Sequence, residues 1–252
     1  MEAKTLSCAE AMDLALDVAV TVLNSGGATR MADKTFHNVA TGCGYKDVSV
    51  TFRLDSVTAG DASTVTIARQ VGAINVNLLR ASEAARLGER VLRREISGWN
   101  LKSELARIRA LPEPYSQITT LVALAASTVG FVRLAHGDWV AASAASIAAI
   151  AGLLFRAWLT ARHVPGPPAN LAGGIVAASL AALVLRFGLT TTRGAPIVGS
   201  LLFLLPGLAL VNGFVDVLSE KYLVMGLERL ANAALQAIFV AIAIQFAVVI
   251  AT

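Results

Sequence analysis

Apolar residues are distributed unevenly along the chain. They dominate residues 115–252, with short polar interruptions, whereas the first hundred or so residues mix apolar and polar positions. A run of about 20 apolar residues crosses a bilayer as a helix. The second part contains such runs in series, at about 115–135, 139–159, 169–189, 197–218 and 230–251. The pattern therefore predicts a membrane α-helical bundle of five transmembrane helices.

The first part has the periodicities of a small α+β domain. Helical spacing of apolar residues alternates here with short runs of strand-like alternation. Glycines 26 and 27 are expected to end the first helix, and Thr29 is expected to cap the second. The predicted elements are helices at 7–24, 29–40, 74–96 and 101–111 and strands at 48–52 and 65–67. We therefore expect a cytoplasmic α+β domain before the five helices.

The composition changes at the segment Leu111-Pro112-Glu113-Pro114. Residues before Tyr115 carry 27 of the 38 charged residues, so we expect a domain at 1–112 and a transmembrane domain at 113–252. Basic residues favour the cytoplasmic side of short loops. With the first domain inside, the seven inner cations are Lys102, Arg107, Arg109, Arg156, Arg162, Lys221 and Arg229, against Arg133, Arg186 and Arg193 outside. This excess predicts a cytoplasmic N-terminus.

Several classes of function are disfavoured. The net charge of +4 is small, and the basic residues do not form a stripe interleaved with aromatic residues. Both features argue against nucleic acid as a partner. Cys8 and Cys43 are too few and too widely spaced for a metal or redox motif. No phosphate-binding motif is visible. We therefore expect no cofactor, no metal and no enzymatic activity. A soluble domain followed by several spans favours membrane transport as the function, and without an ATP-binding motif we expect that transport to draw on an ion or substrate gradient.

The fourth predicted span contains Pro206 and Gly207. Proline removes a backbone hydrogen bond and glycine permits a bend, so a kink or break is expected there. Broken helices in transporters expose helix ends that hold ions and anionic groups near the membrane centre. The alternative is an ordinary proline kink that serves packing. Both residues are candidates for a substrate or ion site.

Asn212 and Asp216 follow the break and share one helical face because they are four residues apart. A carboxylate inside a bilayer is costly, and such residues are usually paired or functional. Asp216 is expected either to bind a coupling proton or to pair with Arg229 or Lys221 at the cytoplasmic interface. Asn212, Asp216 and Arg229 are therefore candidate site residues.

Two arginines near span ends are further candidates for substrate contact. The guanidinium groups of Arg156 and Arg186 are suited to bidentate binding of a carboxylate. The alternative for each is to extend to the lipid headgroups. Asn170, at the head of the third span, is a weaker candidate that is expected to cap the helix.

A family resemblance is carried by two regions of the sequence. The matching residues are Leu204-Leu205-Pro206-Gly207 followed by Asn212, Asp216, Gly226 and Arg229, and, near the start, Ser25 to Thr29 and Gly44 to Val48. Together they resemble the signature of the threonine/serine exporter (ThrE) family. The resemblance implies a membrane exporter in which helices, a few strands and further helices precede the spans.

Within that family the chain is most similar to the split, YjjP-type subunit. This likeness implies a small separate membrane partner of the YjjB type, a hetero- or homo-oligomer and a multi-pass location in the bacterial inner membrane. It also implies export of succinate-like dicarboxylates, with threonine or serine as the alternative substrate. The alternative of another class is a membrane-anchored enzyme or sensor whose spans serve only as an anchor.

Overall fold

The computed structural model describes residues 6–61, 66–72, 74–192 and 194–251. The chain divides into two compact units. The first unit comprises residues 1–114 and 208–230, and the second comprises residues 115–207 and 231–252. The segment 208–230, which hydrophobicity alone assigns to the membrane part, thus packs with the N-terminal residues.

The described elements are ten α-helices and three strands. In chain order they are α1 Cys8–Asn24, α2 Thr29–Gly42, β1 Val48–Phe52, β2 Ser56–Asp61, β3 Thr66–Gln70, α3 Leu78–Leu92, α4 Gly98–Arg109, α5 Gln117–Leu134, α6 Trp139–Ala161, α7 Gly166–Arg186, α8 Ala195–Ser200, α9 Gly207–Leu218 and α10 Leu223–Ala251. A single 3₁₀ turn, Leu202–Leu204, follows α8.

The first unit contains an antiparallel sheet in the order β1-β2-β3. Phe52 pairs with Val57, and Thr58 pairs with Ala68. The central strand β2 was not predicted because its sequence, SVTAGD, carries only one large apolar side chain. Pairing with both neighbours holds it in the sheet. The third strand occupies Thr66–Gln70, and Val65 of the predicted strand lies outside the described residues.

The core of the first unit is built from large apolar side chains. Met12 and Leu16 of α1 and Phe36 of α2 are fully buried there. Tyr222, in the turn before α10, and Met225, at the start of α10, belong to the same core, and the ring of Tyr222 meets Phe52 edge to face. Burial of these side chains explains why the segment 208–230 packs with the N-terminal residues.

Three predicted helix boundaries in this unit are wrong. Ala28, rather than Thr29, is the N-cap of α2, and the Thr29 hydroxyl bonds elsewhere. The predicted helix 74–96 is shorter because residues 74–77 are drawn into extended hydrogen bonding, while Asn77 caps α3 through the N–H of Arg80. The predicted helix 101–111 begins three residues earlier, since α4 runs from Gly98 to Arg109.

Among the described residues, four helices are long and apolar enough to cross a membrane, namely α5, α6, α7 and α10. They correspond to the first, second, third and fifth predicted spans. The predicted fourth span, 197–218, is not one helix, because it is divided into α8, the 3₁₀ turn and α9. The break lies at Leu205, which is extended (φ −67°, ψ 122°), directly before Pro206. A proline disfavours helical backbone in the residue before it, which accounts for the break.

The core of the second unit is built mainly from alanine and glycine. Where α6 and α7 cross, a Cβ atom on Gly152 would lie 2.6 Å from the Cβ of Ala177 and 2.6 Å from the carbonyl oxygen of Gly173. The absence of side chains at these glycines lets the two backbones approach closely. Close approach at small residues is the usual basis of helix packing in lipid.

Two sets of contacts join the loops at one end of the second unit. The Asp138 carboxylate caps α6 through the N–H of Ala141 and accepts hydrogen bonds from the hydroxyls of Thr190 and Thr192. These hydrogen bonds, that from Ala141 first, lower the pKa of Asp138. Arg186 Nη1 donates to the carbonyl oxygen of Ile250 (3.0 Å), so the C-terminal ends of α7 and α10 lie together.

Candidate functional site

The turn between α1 and α2 presents four consecutive carbonyl oxygens, those of residues 24 to 27. Each accepts a hydrogen bond from a residue elsewhere in the first unit. The four donors, in order, are the backbone N–H of Asn75 (2.8 Å), the backbone N–H of Asn77 (3.1 Å), Nδ2 of Asn212 (3.3 Å) and Nη2 of Arg229 (3.4 Å). Gly26 has a positive φ of 82°, a conformation that glycine adopts without strain, so the turn depends on it.

A buried ion pair lies beside this turn. Arg229 Nη1 is 3.0 Å from Asp216 Oδ2, and the same oxygen accepts a hydrogen bond of 2.7 Å from the hydroxyl of Thr29. Asp216 is 1% exposed and Arg229 is 4% exposed. The Nη1–H bonds of Arg229 are not directed at the oxygen, so the pair is held by charge and by the Thr29 hydroxyl. Of the two partners considered for Asp216, the structure selects Arg229.

The surroundings offset part of the cost of burying these charges. Removing two charges from water costs several kcal/mol for each ion, and attraction and hydrogen bonds must repay it. The guanidinium of Arg229 lies at the C-terminal end of α1, where the helix dipole places partial negative charge. Asp216 receives both a cation and a hydroxyl donor. The arrangement is therefore stable while paired and costly once either charge is removed.

Two glycines allow α9 and α10 to pack closely at the ion pair. A Cβ atom on Gly226 would lie 2.7 Å from the backbone nitrogen of Val217 and 2.8 Å from the carbonyl oxygen of Gly213. A Cβ atom on Gly213 would lie 3.0 Å from the side chain of Leu230. Gly226 was identified from the sequence signature, whereas Gly213 was missed because nothing in the linear pattern distinguishes it from an ordinary helical glycine.

A second polar cluster holds the turn between α9 and α10. Lys221 Nζ lies 2.8 Å from Asp33 Oδ2, and His37 Nε2 lies 3.6 Å from the other oxygen of Asp33. Burial acts to lower the pKa of Lys221, but the hydrogen bond and charge of Asp33 outweigh it and raise that pKa overall. The alternative in which Asp216 pairs with Lys221 is therefore wrong, because Lys221 pairs with Asp33.

Glu228 is a polar contact that sequence reasoning missed. Its carboxylate accepts a hydrogen bond from the N–H of Leu54 (2.7 Å) and pairs with Arg53 (2.6 Å) at the turn between β1 and β2. Neighbouring residues on α10 therefore meet different parts of the first unit, since Arg229 faces Asp216. The sequence signal was only the adjacency of two opposite charges within an apolar helix.

The structure brings together three of the eight predicted site residues. Asn212, Asp216 and Arg229 lie in the first unit around the turn between α1 and α2. The remaining five, Pro206, Gly207, Asn170, Arg156 and Arg186, lie in the second unit. Gly207 begins α9 and would accommodate a Cβ atom, since no atom lies within 4 Å of that position. Close packing is therefore not the reason for glycine at position 207.

The polar candidates of the second unit differ in their contacts. Arg186 is bonded to the Ile250 carbonyl, whereas Arg156 is a half-buried residue whose guanidinium makes no hydrogen bond or ion pair with the described part of the chain. The side-chain oxygen of Asn170 is buried without a hydrogen-bond partner among the same residues. Asn170 does not cap α7, which begins at Gly166 after Pro165, so that expectation was wrong.

Comparison with known proteins places the chain in a family. Residues 13–251 match the family model described as "Putative threonine/serine exporter" (ThrE). The chain belongs to the ThrE family. No curated protein and no solved structure matches it. The resemblance inferred from the sequence is thus confirmed, and the long apolar helices agree with a multi-pass membrane protein of a transporter family.

In this ThrE-family chain, the two regions that carried the resemblance are bonded to each other. The hydroxyl of Thr29 donates to Asp216 across 187 positions of sequence, and Asn212 donates to the carbonyl of Gly26 across 186 positions. The signature residues thus form one buried polar centre, which we call the Thr29–Asp216–Arg229 cluster. Its members could be identified singly from the sequence, but their contact could not.

Proposed function

We propose that this chain is a subunit of a secondary exporter that moves small carboxylate-bearing metabolites across the bacterial inner membrane. The family description supports an exporter. The observation that carries the substrate class is Arg156, a half-buried cation in a candidate span with no polar partner in the described chain. Because an unpaired charge in a bilayer is costly, we infer that a carboxylate of the substrate pairs with it.

Succinate-type dicarboxylates are the substrates that we favour. The helices α5, α6, α7 and α8 and residues 231–251 contain three arginines and no aspartate or glutamate. An amino-acid substrate would present an ammonium group that needs an acidic or carbonyl partner, whereas a dicarboxylate needs cations. This charge pattern therefore suits two carboxylates better than one carboxylate and one ammonium group.

Threonine and serine are the second candidate substrates. The family takes its description from export of these amino acids, which is the observation that favours them. Their hydroxyl groups would suit the buried and unpaired oxygen of Asn170, which accepts hydrogen bonds. The two substrate classes share the carboxylate and differ in the second group that the protein must bind.

The proposal includes a cytoplasmic N-terminus and a partner subunit. The excess of basic residues on one set of flanks supports this orientation. Four long helices and one broken segment are few for a complete solute path across a bilayer. A second membrane subunit, of the small YjjB type that the family resemblance suggests, would complete the path.

The energy source in this proposal is an ion gradient, with Asp216 as the coupling group. Its carboxylate shares a buried site with Arg229, so a proton there would release the ion pair. Asp216→Asn removes the titrating group and keeps its size. We expect this variant to lose the dependence of export on the pH gradient, and unchanged pH dependence would exclude a coupling role.

The deciding experiment measures efflux of labelled succinate and labelled threonine from proteoliposomes. The full chain is tested with and without a small YjjB-type subunit, and purified protein excludes host transporters. We expect succinate efflux that requires both subunits. Threonine efflux alone would move the substrate to the second candidate, and no efflux of either compound would overturn the proposal.

Arg156 and Arg186 provide a matched pair of variants for this assay. Arg156→Gln should raise the KM for the substrate, because it removes the free cation. Arg186→Gln should leave the KM close to that of the wild type, since that guanidinium is already bonded to a backbone carbonyl. Equal effects of the two changes would refute the assignment of Arg156 to substrate binding.

A further inference from the structure

The hairpin formed by α9 and the start of α10 carries its polar residues on the inside. Asn212, Asp216 and Arg229 face the rest of the first unit. The exposed side of α9 consists of apolar residues at the i, i+3, i+4, i+7 spacing of one helical face, namely Val211, Phe214, Val215 and Leu218. Exposed apolar residues continue along the start of α10 at Leu223, Val224 and Leu227.

Exposed polar residues of the hairpin are confined to its tip. Across residues 208–230, those that are both polar and exposed are Ser219, Glu220 and Lys221, in the turn between the helices. A helix surrounded by water normally buries its apolar side chains and exposes its polar ones. This hairpin has the opposite arrangement, with exposed charges only at its tip. A nonpolar environment is therefore expected around its sides.

Helix α4 of the same unit shows the opposite pattern. Its outward residues include Lys102, Arg107 and Arg109, and its inward residues Leu101 and Leu105 are buried in the core. This is the amphipathicity of a helix that faces water. The two patterns within one unit indicate two different surroundings, and the apolar hairpin is not a consequence of the composition of the unit as a whole.

We propose that the outward face of the hairpin, formed by Val211, Phe214, Val215, Leu218, Val224 and Leu227, contacts the acyl chains of the bilayer. The candidate membrane span α10 begins at Leu223, so Val224 and Leu227 of this face lie within it. The stretch of α10 that is long and apolar enough to cross a bilayer therefore includes part of the proposed lipid-facing surface.

Helix lengths place the hairpin at a defined depth. The 29 residues of α10 span about 43 Å, which matches a bilayer with its headgroups. The tip at residues 219–221 then lies among the headgroups of one leaflet. Arg229, about 9 Å along α10 from Leu223, lies near the hydrocarbon boundary.

The test locates single cysteines relative to lipid and water. Cys8 and Cys43 are first replaced by alanine in the full chain, and Phe214→Cys or Leu227→Cys is added. Each protein is labelled with an environment-sensitive fluorophore and reconstituted into vesicles of phosphatidylcholine and phosphatidylglycerol. Quenching by brominated lipid and by aqueous iodide is then compared. We expect strong lipid quenching and iodide quenching about tenfold weaker than at a water-exposed site, because ions are excluded from hydrocarbon.

Two reference positions calibrate the measurement. Leu180→Cys, on the exposed side of the candidate span α7, reports lipid, and Arg107→Cys on α4 reports water. Iodide quenching at Phe214→Cys and Leu227→Cys equal to that at Arg107→Cys would overturn the proposal. Protection from both quenchers would overturn it too, since another protein surface would then cover the face.

A second pair of positions guards against a variant that does not fold. Val211→Cys and Val224→Cys lie on the same face, one turn from the first pair. Only protein that elutes as a single symmetrical peak is used. The result does not depend on which substrate is exported, so it stands or falls separately from the proposed function.

Discussion

The two units of this chain bury different kinds of side chain. In the first unit the fully buried residues include Met12, Leu16, Phe36 and Leu87, all of them large. The main core of the second unit contains seven buried alanines beside Ile197, Leu201 and Leu204, and glycines lie where α6 and α7 cross. Both cores are apolar, but large side chains fill the first and mainly small side chains fill the second.

The difference follows from the solvent that each core excludes. Where a core is set against water, burial of large apolar side chains is favourable in proportion to their area. Lipid is as apolar as leucine, so a large side chain gains little by leaving it, and close backbone contact between helices matters more. The alanine and glycine core therefore indicates that the second unit packs within a membrane. The hairpin of α9 and α10 contributes large side chains to the core of the first unit, and yet its exposed side is apolar, as expected of a surface that faces lipid.

The largest predicted effect comes from the buried ion pair of the first unit. Asp216→Ala should destabilise the protein by about 3–5 kcal/mol, because Arg229 is left buried without its partner. The measurement is chemical unfolding of the purified chain in detergent. The double variant Asp216→Leu/Arg229→Met removes both charges and should recover most of the loss. A double variant no more stable than the single one would contradict this account.

Removal of volume should be costly in the first unit. Leu16→Ala leaves a cavity in the core and should cost about 2–5 kcal/mol. The matched control is Leu92→Ala on α3, where the side chain is 42% exposed and little should change. Both are compared by the same unfolding assay. Equal losses at the two positions would show that Leu16 is not part of a tightly packed core.

Addition of volume should be costly in the second unit. Gly152→Ala places a methyl group 2.6 Å from the carbonyl oxygen of Gly173 and should cost about 1–3 kcal/mol. Gly130→Ala on α5 is the control, since no atom lies within 4 Å of the added carbon. The control should be neutral or slightly stabilising. If the thermal stability of both variants fell equally, the glycine at position 152 would not be needed for packing.

The smallest predicted effect concerns pH at the loops of the second unit. The pKa of Asp138 is lowered below its ordinary value of 3.8, so its contribution to stability is present above that value and is lost as the pH falls through the folded pKa. Asp138→Ala should therefore lower the unfolding temperature at about pH 7, and this deficit should shrink as the pH is lowered below 3.8. A deficit that persisted unchanged at the lower pH would show that the carboxylate charge is not responsible.

The sequence alone determined the elements that rest on local and compositional physics. Runs of apolar residues correctly predicted four long apolar helices, because length and hydrophobicity decide whether a helix fits a bilayer. Their predicted ends differ from the observed ends by a few residues, and by seven at the start of α10. Pro206 predicted the break in the fourth span, since proline acts on its own backbone. The signature residues identified the family, which the comparison confirmed.

Tertiary structure alone decided which residues meet. The strand β2 forms because two neighbours pair with it, and Thr29 leaves its expected capping role because Asp216 lies opposite its hydroxyl. Asp216 selects Arg229 because Lys221 is held by Asp33. Contacts across more than 180 positions leave no trace in the spacing of residues along the chain. They arise only when burial of Tyr222 and Met225 draws the hairpin of α9 and α10 against the N-terminal helices.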